Sequence, residues 1–384
     1  MTLTNKNIVF VLATTELGGA ERQSILLARG LREKYQANIS FICFGKQKGR
    51  CTELLEQYGF NYSIIRSFSL YKFLHLPFAL MAMLRFLLQL KRIKAEIVMP
   101  YCYESNIWSG LVRPFLGKNV TVIWNQRDDG RGIMSDGINR RAISNCTHFI
   151  ANSDAGAEYL IKDLFIKEQK VNVIYNGVEE ATPALSRAEW RKQQGFTEHG
   201  LLVCMLANLH DQKDHETLLK AWALLLAGKE NKEGHRLLLA GRPQNTEERL
   251  RQLAASSGIT DSVVFMGGVK DVHSMLGAID ISVLCAFEKS EGLPNAVLES
   301  MLHSLPVLGS DVAALHCALG EDMKNWLSPV GNAEKLAADL GRLFASDVLR
   351  KDMGARNRQR QQEVFSVDAL IVNSGKLIET IVKN

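Results

Sequence analysis

The sequence predicts an α/β protein built from two Rossmann-like domains that face each other across a cleft. Three observations carry this expectation. The chain has 384 residues, more than one ordinary core organises and enough for two domains of common size. Short apolar runs alternate with longer stretches of helical periodicity, the pattern of βα units and a parallel sheet. The alternation breaks at a polar stretch, Glu179–Ser186 with Pro183 inside it, and then begins again.

In order along the chain, the run from Asn7 to Ala13 reads as a buried strand. A loop with Gly18 and Gly19 leads from it into a helix over Ala20–Lys34, and the next strand is Asn38–Phe44. Further strands are expected to begin near Ala95, Asn119, Thr147 and Lys170. After the break the theme resumes at Gly200–Leu206. Helix Glu216–Leu226 follows, with Leu218, Trp222, Leu225 and Leu226 on one face at i, i+4, i+7 and i+8. Strands are expected again at His235–Ala240, Asp261–Met266, Ala278–Leu284 and Leu305–Ser310, and an amphipathic helix at Val367–Val382. No internal repeat is visible.

Composition narrows the class. With 46% hydrophobic and 23% charged residues the chain is a globular protein without disordered bias. Its seven cysteines are scattered and form no Cys-x-x-Cys pair. This argues against a structural zinc site or a disulfide framework and for a reducing, cytoplasmic setting. The amino terminus lacks the pattern of a signal peptide. The most apolar stretch, Phe73–Leu90, is interrupted by His75, Pro77, Arg85 and Gln89, so it is not expected to span a membrane. Charge is uneven: residues 1–180 hold 23 Lys/Arg against 16 Asp/Glu, and the rest 23 against 25. The basic half is either solvated surface or a face for anionic lipid, a phosphorylated acceptor or nucleic acid.

The segment Ser290–Asp311 holds the densest chemistry. Glu291 and Glu299 flank a Gly-Leu-Pro-Asn turn that opens a helix running from about Pro294 to His303, with Pro294 suited to the first helical position. The start of a helix gathers unpaired N–H groups and positive dipole, a receptor for a diphosphate. Nearby carboxylates suit the hydroxyls of a sugar or ribose. Taken alone, the segment also reads as an ordinary helix with surface acids. The strand that follows places the turn at the carboxyl edge of a parallel sheet, where ligands of open α/β sheets bind.

The segment EGLPNAVLES closely resembles the Glu-x7-Glu motif of the retaining glycosyltransferases of family 4, which have the GT-B fold. Other segments resemble the family in the expected order over about residues 8–340. These are GGAERQ (Gly18–Gln23), ANSDAGAEYL (Ala151–Leu160), VIYNGVE (Val173–Glu179), LANLHDQKDHETLLKAWALL (Leu206–Leu225) and VVFMGGVKDV (Val263–Val272). The resemblance implies an acceptor domain over 1–180, a donor domain over 181–365, and a terminal helix over 366–384 that crosses back to the first domain.

It also implies roles. Lys213 would contact the donor diphosphate. Asn208 stands where the family often has Arg, leaving one phosphate cation absent, with His210 or Arg242 as substitutes; Arg242 reads equally as an exposed loop residue. Glu299 would accept hydrogen bonds from ribose hydroxyls. Glu291 would lie near the transferred sugar, the amides of Gly292, Leu293 and Asn295 near its phosphate, and the Val269 backbone near the base. Gly18 and Gly19 would admit close approach of a phosphate or sugar. The histidine that many members carry near Asn125–Gly132 is missing. Arg127 and Asp128 occupy that region, as ligands of acceptor or donor sugar or as a surface ion pair. His148 reads as a core residue.

The implied reaction is retaining transfer of a hexose-type sugar without a metal or other cofactor, from a UDP- or GDP-linked donor. The acceptor would be a glycan or lipid-linked molecule in cell-surface polysaccharide or glycolipid synthesis. Leu70–Lys94, apolar with a basic end, reads either as an internal helix or as a peripheral contact with the cytoplasmic membrane face. No nucleic acid partner is expected. A nucleotide-sugar epimerase and a non-catalytic nucleotide-sugar-binding protein are the alternatives. A dehydrogenase is disfavoured because no Gly-x-Gly-x-x-Gly follows the first strand.

Overall fold

The computed structural model describes residues 3–70, 75–128, 130, 137–227, 234–288 and 292–383. It divides into two compact units, Met1–Gly177 with Val367–Asn384, and Val178–Ser366.

The strands of the first unit are β1 (Asn7–Leu12), β2 (Asn38–Phe44), β3 (Asn61–Ile65), β4 (Ile97–Tyr101), β5 (Thr121–Gln126), β6 (His148–Ala151) and β7 (Val171–Val173). Among the described residues they form one parallel sheet in the order β3-β2-β1-β4-β5-β6-β7. Its helices are α1 (Gly19–Tyr35), α2 (Arg50–Gln57), α3 (Leu76–Arg92), α4 (Tyr103–Val112), α5 (Gly137–Asn145) and α6 (Asp154–Lys162). Central strands of such a sheet are covered on both faces and therefore read as continuous apolar runs. In β1 the period of two sends Ile8, Phe10 and Leu12 into one core layer and Val9 and Val11 into the other.

The second unit contains α7 (Arg187–Gln193), β8 (Leu202–Leu206), α8 (His215–Ala227), β9 (Arg236–Ala240), α9 (Glu247–Ser256), β10 (Val263–Gly267) and α10 (Val272–Ala278). It continues through β11 (Ile281–Leu284), α11 (Asn295–Leu302), β12 (Val307–Ser310), α12 (Ala313–Leu319), β13 (Leu327–Ser328), α13 (Ala333–Ala345) and α14 (Asp347–Val364). Its parallel sheet runs β10-β9-β8-β11-β12-β13.

The terminal helix α15 (Val367–Lys383) belongs to the first unit. Leu370, Ile378 and Ile381 join the core layer that holds α1. The two helices pack closely because small residues lie at the crossing. A Cβ on Gly30 would sit 2.2 Å from Ile371, and one on Gly375 would sit 2.1 Å from the Tyr35 ring.

The α/β architecture and the returning helix match the expectation, with local differences. Strand β4 starts at Ile97 rather than Ala95, because the Glu96 carboxylate turns to Lys6 and to the Asn7 amide. Strands β3 and β13 carried no apolar run to reveal them: β3 is a half-exposed edge strand and β13 has two residues. The apolar stretch near residue 80 forms α3. No helix among the described residues is long and apolar enough to cross a membrane.

Candidate functional site

In the second unit, strand order reverses between β8 and β11: the chain runs from β8 outward to β9 and β10, then returns to β11 on the other side. Loops leaving such a reversal diverge to opposite faces of the sheet and open a crevice at its carboxyl edge. The loop after β8, residues 207–214, holds Asn208 and Lys213; the loop after β11 leads to α11.

Main-chain contacts bring these loops together. Lys213 bridges Ala286 in antiparallel fashion, the Asp214 amide donates to the Cys285 carbonyl at 3.0 Å, and the Lys213 amide donates to the His210 carbonyl at 3.0 Å. The Ser310 hydroxyl accepts from the Ala286 amide at 3.0 Å and ties this junction to β12. On the other side, the Asn208 side-chain oxygen accepts from the Arg242 amide at 3.0 Å, and the Leu209 amide donates to the Arg242 carbonyl at 3.0 Å. That approach requires Gly241, whose Cβ would lie 2.0 Å from the Ala207 carbonyl oxygen. Asn208 thus uses its oxygen structurally and keeps its amide group for donation. Both Asn208 and Arg242 are exposed.

The two helix starts in this crevice differ. At α8 the Asp214 carboxylate already accepts from the Thr217 amide and hydroxyl, at 3.0 and 2.6 Å. At α11 the N-cap residue Pro294 makes no side-chain cap bond, and among the described residues no acid lies in the first turn. Pro294 has extended backbone (φ −77°, ψ 109°) and precedes the helix, which begins at Asn295 rather than at Pro294 as expected. Pro294 brings no side-chain acceptor to compete with an anion for the positive end of the α11 dipole. Gly292 and Leu293 are buried; Asn295 and Glu299 are partly exposed on α11. Val269 is partly buried against the apolar cluster that includes Met275 and Leu276. Glu291 lies outside the described residues.

Next to Lys213, the His215 ring is 1% exposed. Desolvation pushes its pKa down to about 4, against the raising effect of the Lys213 and Ala207 backbone. His215 is neutral near pH 7 and adds no charge to that of Lys213.

In the first unit the strand order reverses between β1 and β4. Gly18 and Gly19 follow β1 and are exposed, but the Gly18 amide already donates to Glu21 Oε2 at 3.1 Å. Cys102, directly after β4, has φ 72° and ψ 166°, a strained conformation for a residue with a Cβ and a frequent mark of functional sites. Arg127 and Asp128 follow β5 and do not pair. The Asp128 carboxylate accepts from Gln126 at 2.7 Å and from the Gly130 amide at 2.9 Å, whereas Arg127 Nη2 donates to Asn176 Oδ1 at 2.5 Å. His148 begins β6, at the opposite edge of the sheet, and its pKa is lowered by burial and by Lys170.

Tyr101, Cys102, Asn176 and Gln23 were not singled out from the sequence. The motif segments around Gln23 and Asn176 were the only signal for those two, and nothing local marks the backbone of Cys102.

Residues 17–182 match the family model Glycosyltransferase Family 4, and residues 186–360 match Glycosyl transferases group 1. N-acetyl-alpha-D-glucosaminyl L-malate synthase of Bacillus anthracis is 23% identical over 54% of this chain and 53% of its own length. UDP-Gal:alpha-D-GlcNAc-diphosphoundecaprenol alpha-1,3-galactosyltransferase of Escherichia coli is 21% identical over 53% of this chain and 52% of its own. The chain therefore spans about half the length of these two curated relatives. The Anabaena protein HepE, solved with UDP and glucose, superposes with a TM-score of 0.83 at 17% identity, covering 98% of this chain and 100% of that one. This likeness is one of fold.

Proposed function

The chain belongs to the family 4 glycosyltransferases, and we propose that it is a retaining enzyme that moves a hexose-type sugar from a UDP- or GDP-linked donor to a glycan or lipid-linked acceptor without a metal ion. The observation that carries this reading is the main-chain bridge of Lys213 to Ala286, on the loop that leads from β11 to α11, at the β8/β11 reversal.

In such a transfer negative charge grows on the departing diphosphate while positive charge grows at the anomeric carbon. A fixed ammonium and a helix start stabilise the first of these without reorganising at the moment of reaction. Glu299, one turn into α11, accepts from ribose hydroxyls, and the Asn208 amide and Arg242 guanidinium supply the second phosphate contact. The departing phosphate receives the acceptor proton, so no side chain is needed as general base. Dye-monitored melting with UDP, GDP, UDP-glucose and GDP-mannose tests this. A ligand at a hundred times its Kd stabilises the state that binds it by about 2.7 kcal/mol, a shift of several degrees. If none of the four raises the melting temperature, the reading fails.

The acceptor side is proposed to meet lipid. Helix α3 buries Ala79, Ala82, Phe86 and Leu90, while Leu80, Leu84 and Leu88 remain 58%, 54% and 55% exposed. Its last turn holds Lys91 and Arg92 and its first turn has no acid, a combination suited to an anionic bilayer surface. A cavity of ≈ 320 Å³ that includes Phe68, Leu70, Tyr103 and Ile107 lies alongside, and Phe68 stacks on Phe78 of α3 with centroids 5.7 Å apart. Flotation with phosphatidylglycerol vesicles at low salt is expected to carry the protein upward, and Leu80→Glu with Leu84→Glu to abolish this. Equal flotation of the double variant would remove α3 from the contact.

A further inference from the structure

The first unit holds an arginine whose surroundings are incomplete. Arg127 leaves β5 at the carboxyl edge of the sheet, part exposed. Its Nη2 donates to Asn176, its guanidinium carbon stands 5.1 Å from the centre of the buried Tyr101 ring, and its carbonyl accepts a 3.5 Å contact from Asn152. Its Nε is sealed from solvent and has no hydrogen-bond partner among the described residues. Asn176 is held in position because its neighbour Gly177 both donates to and accepts from the buried Gln23 side chain, at 3.0 and 2.7 Å.

Among the described residues, the carboxylates nearby do not complete it. Asp128 is engaged by Gln126 and Gly130. Glu21 is buried and accepts from Gly18, and desolvation raises its pKa, with Arg127 acting on it only as a lowering charge. The Cys102 thiol and the Tyr101 hydroxyl are each pushed up to about 12, chiefly by burial, and are uncharged. A guanidinium drawn out of water whose hydrogen-bond and ring partners, Asn176 and Tyr101, are both neutral gains from an anion that joins it. Its planar fork matches a carboxylate or phosphate in bidentate geometry.

We infer that Arg127, braced by Asn176 and Tyr101, is the receptor for an anionic group of the acceptor, a phosphate monoester or a carboxylate. The inference rests on the transferase reading for the word acceptor, but the anion site itself does not. Because the second unit has its own phosphate crevice, the test is run with that crevice filled.

Calorimetric titration of the full chain in saturating UDP or GDP, whichever binds, uses glycerol 3-phosphate, L-malate and glycerol as probes. At least one of the two anions is expected to bind and glycerol is not; the better anion separates phosphate from carboxylate. Arg127→Gln is expected to weaken that anion by about tenfold or more, which is 1.4 kcal/mol, and Arg127→Lys to fall between, with nucleotide affinity unchanged in both. Arg127→Met should melt at the same temperature as the parent or higher, since it removes a guanidinium whose buried Nε has no partner among the described residues. The inference is overturned if neither anion binds, if Arg127→Gln binds it as tightly as the parent, or if the Met variant melts lower and also loses nucleotide. Failure of both nucleotides to bind, with Arg127-dependent anion binding intact, would instead overturn the transferase reading and leave the anion site standing.

Discussion

Lys213→Ala is expected to lower kcat by a factor on the order of 10²–10³ while leaving the melting temperature unchanged. The size follows from the cost of removing one preorganised group aimed at developing negative charge, about 2.7–4 kcal/mol. The absence of a folding effect follows from what holds the loop. The bridge to Ala286 and the bond to the His210 carbonyl are made by the Lys213 main chain, which alanine retains. Buried His215 beside it is held neutral, so it does not replace the ammonium. Single-turnover assays with the donor that melting experiments select would measure the effect. Turnover within a few-fold of the parent would remove Lys213 from the chemistry.

Arg191→Ala should act oppositely, on the fold rather than directly on the reaction, with a loss of about 3–5 kcal/mol from the second unit. Arg191 lies on α7 and is 1% exposed. Its Nε donates to the Ala278 carbonyl at 2.9 Å, its Nη1 to the carbonyls of Thr197, Glu198 and Gly200 at 2.8–3.0 Å, and its Nη2 to Asp280 at 2.7 Å. Asp280 in turn accepts from Arg187 and from the Leu202 amide at the start of β8. Truncation strands the buried Ala278 and Gly200 carbonyls and the part-buried Asp280 carboxylate at once, and the penalty comes from those groups more than from the lost attraction. Urea unfolding followed by fluorescence should show the transition of the second unit at lower denaturant, with nucleotide binding lost at the same concentration. A midpoint unchanged from the parent would show that water or a shifted Arg187 replaces the side chain.

Much of the fold was legible because its signals are local. Buried parallel strands such as β8 and the body of β1 are unbroken apolar runs, and α8 shows its core face through Leu218, Trp222 and Leu225. The edge strand β3, with Asn61, Tyr62 and Ser63 half in solvent, offered no such contrast. For the site, the stretch from Gly292 to Glu299 was readable because turn, helix and strand follow one another within one segment. Its companion Lys213 was identified by motif order alone, since the contact with Ala286 joins loops more than seventy residues apart in the sequence.

The amino-acid sequence alone determined the alternation of strands and helices, the division into two halves, the family, and the helix that carries Glu299. Each of these follows from short-range preferences or from segments that are contiguous in the chain. Only the tertiary structure decided that Asp128 turns away from Arg127, that Asn176 and Tyr101 take its place, that Gln23 clamps Gly177, and that Cys102 adopts a left-handed backbone. Those outcomes depend on which strands become neighbours and on which polar groups are then left without water, and sheet order is a property of the whole unit rather than of any stretch of chain.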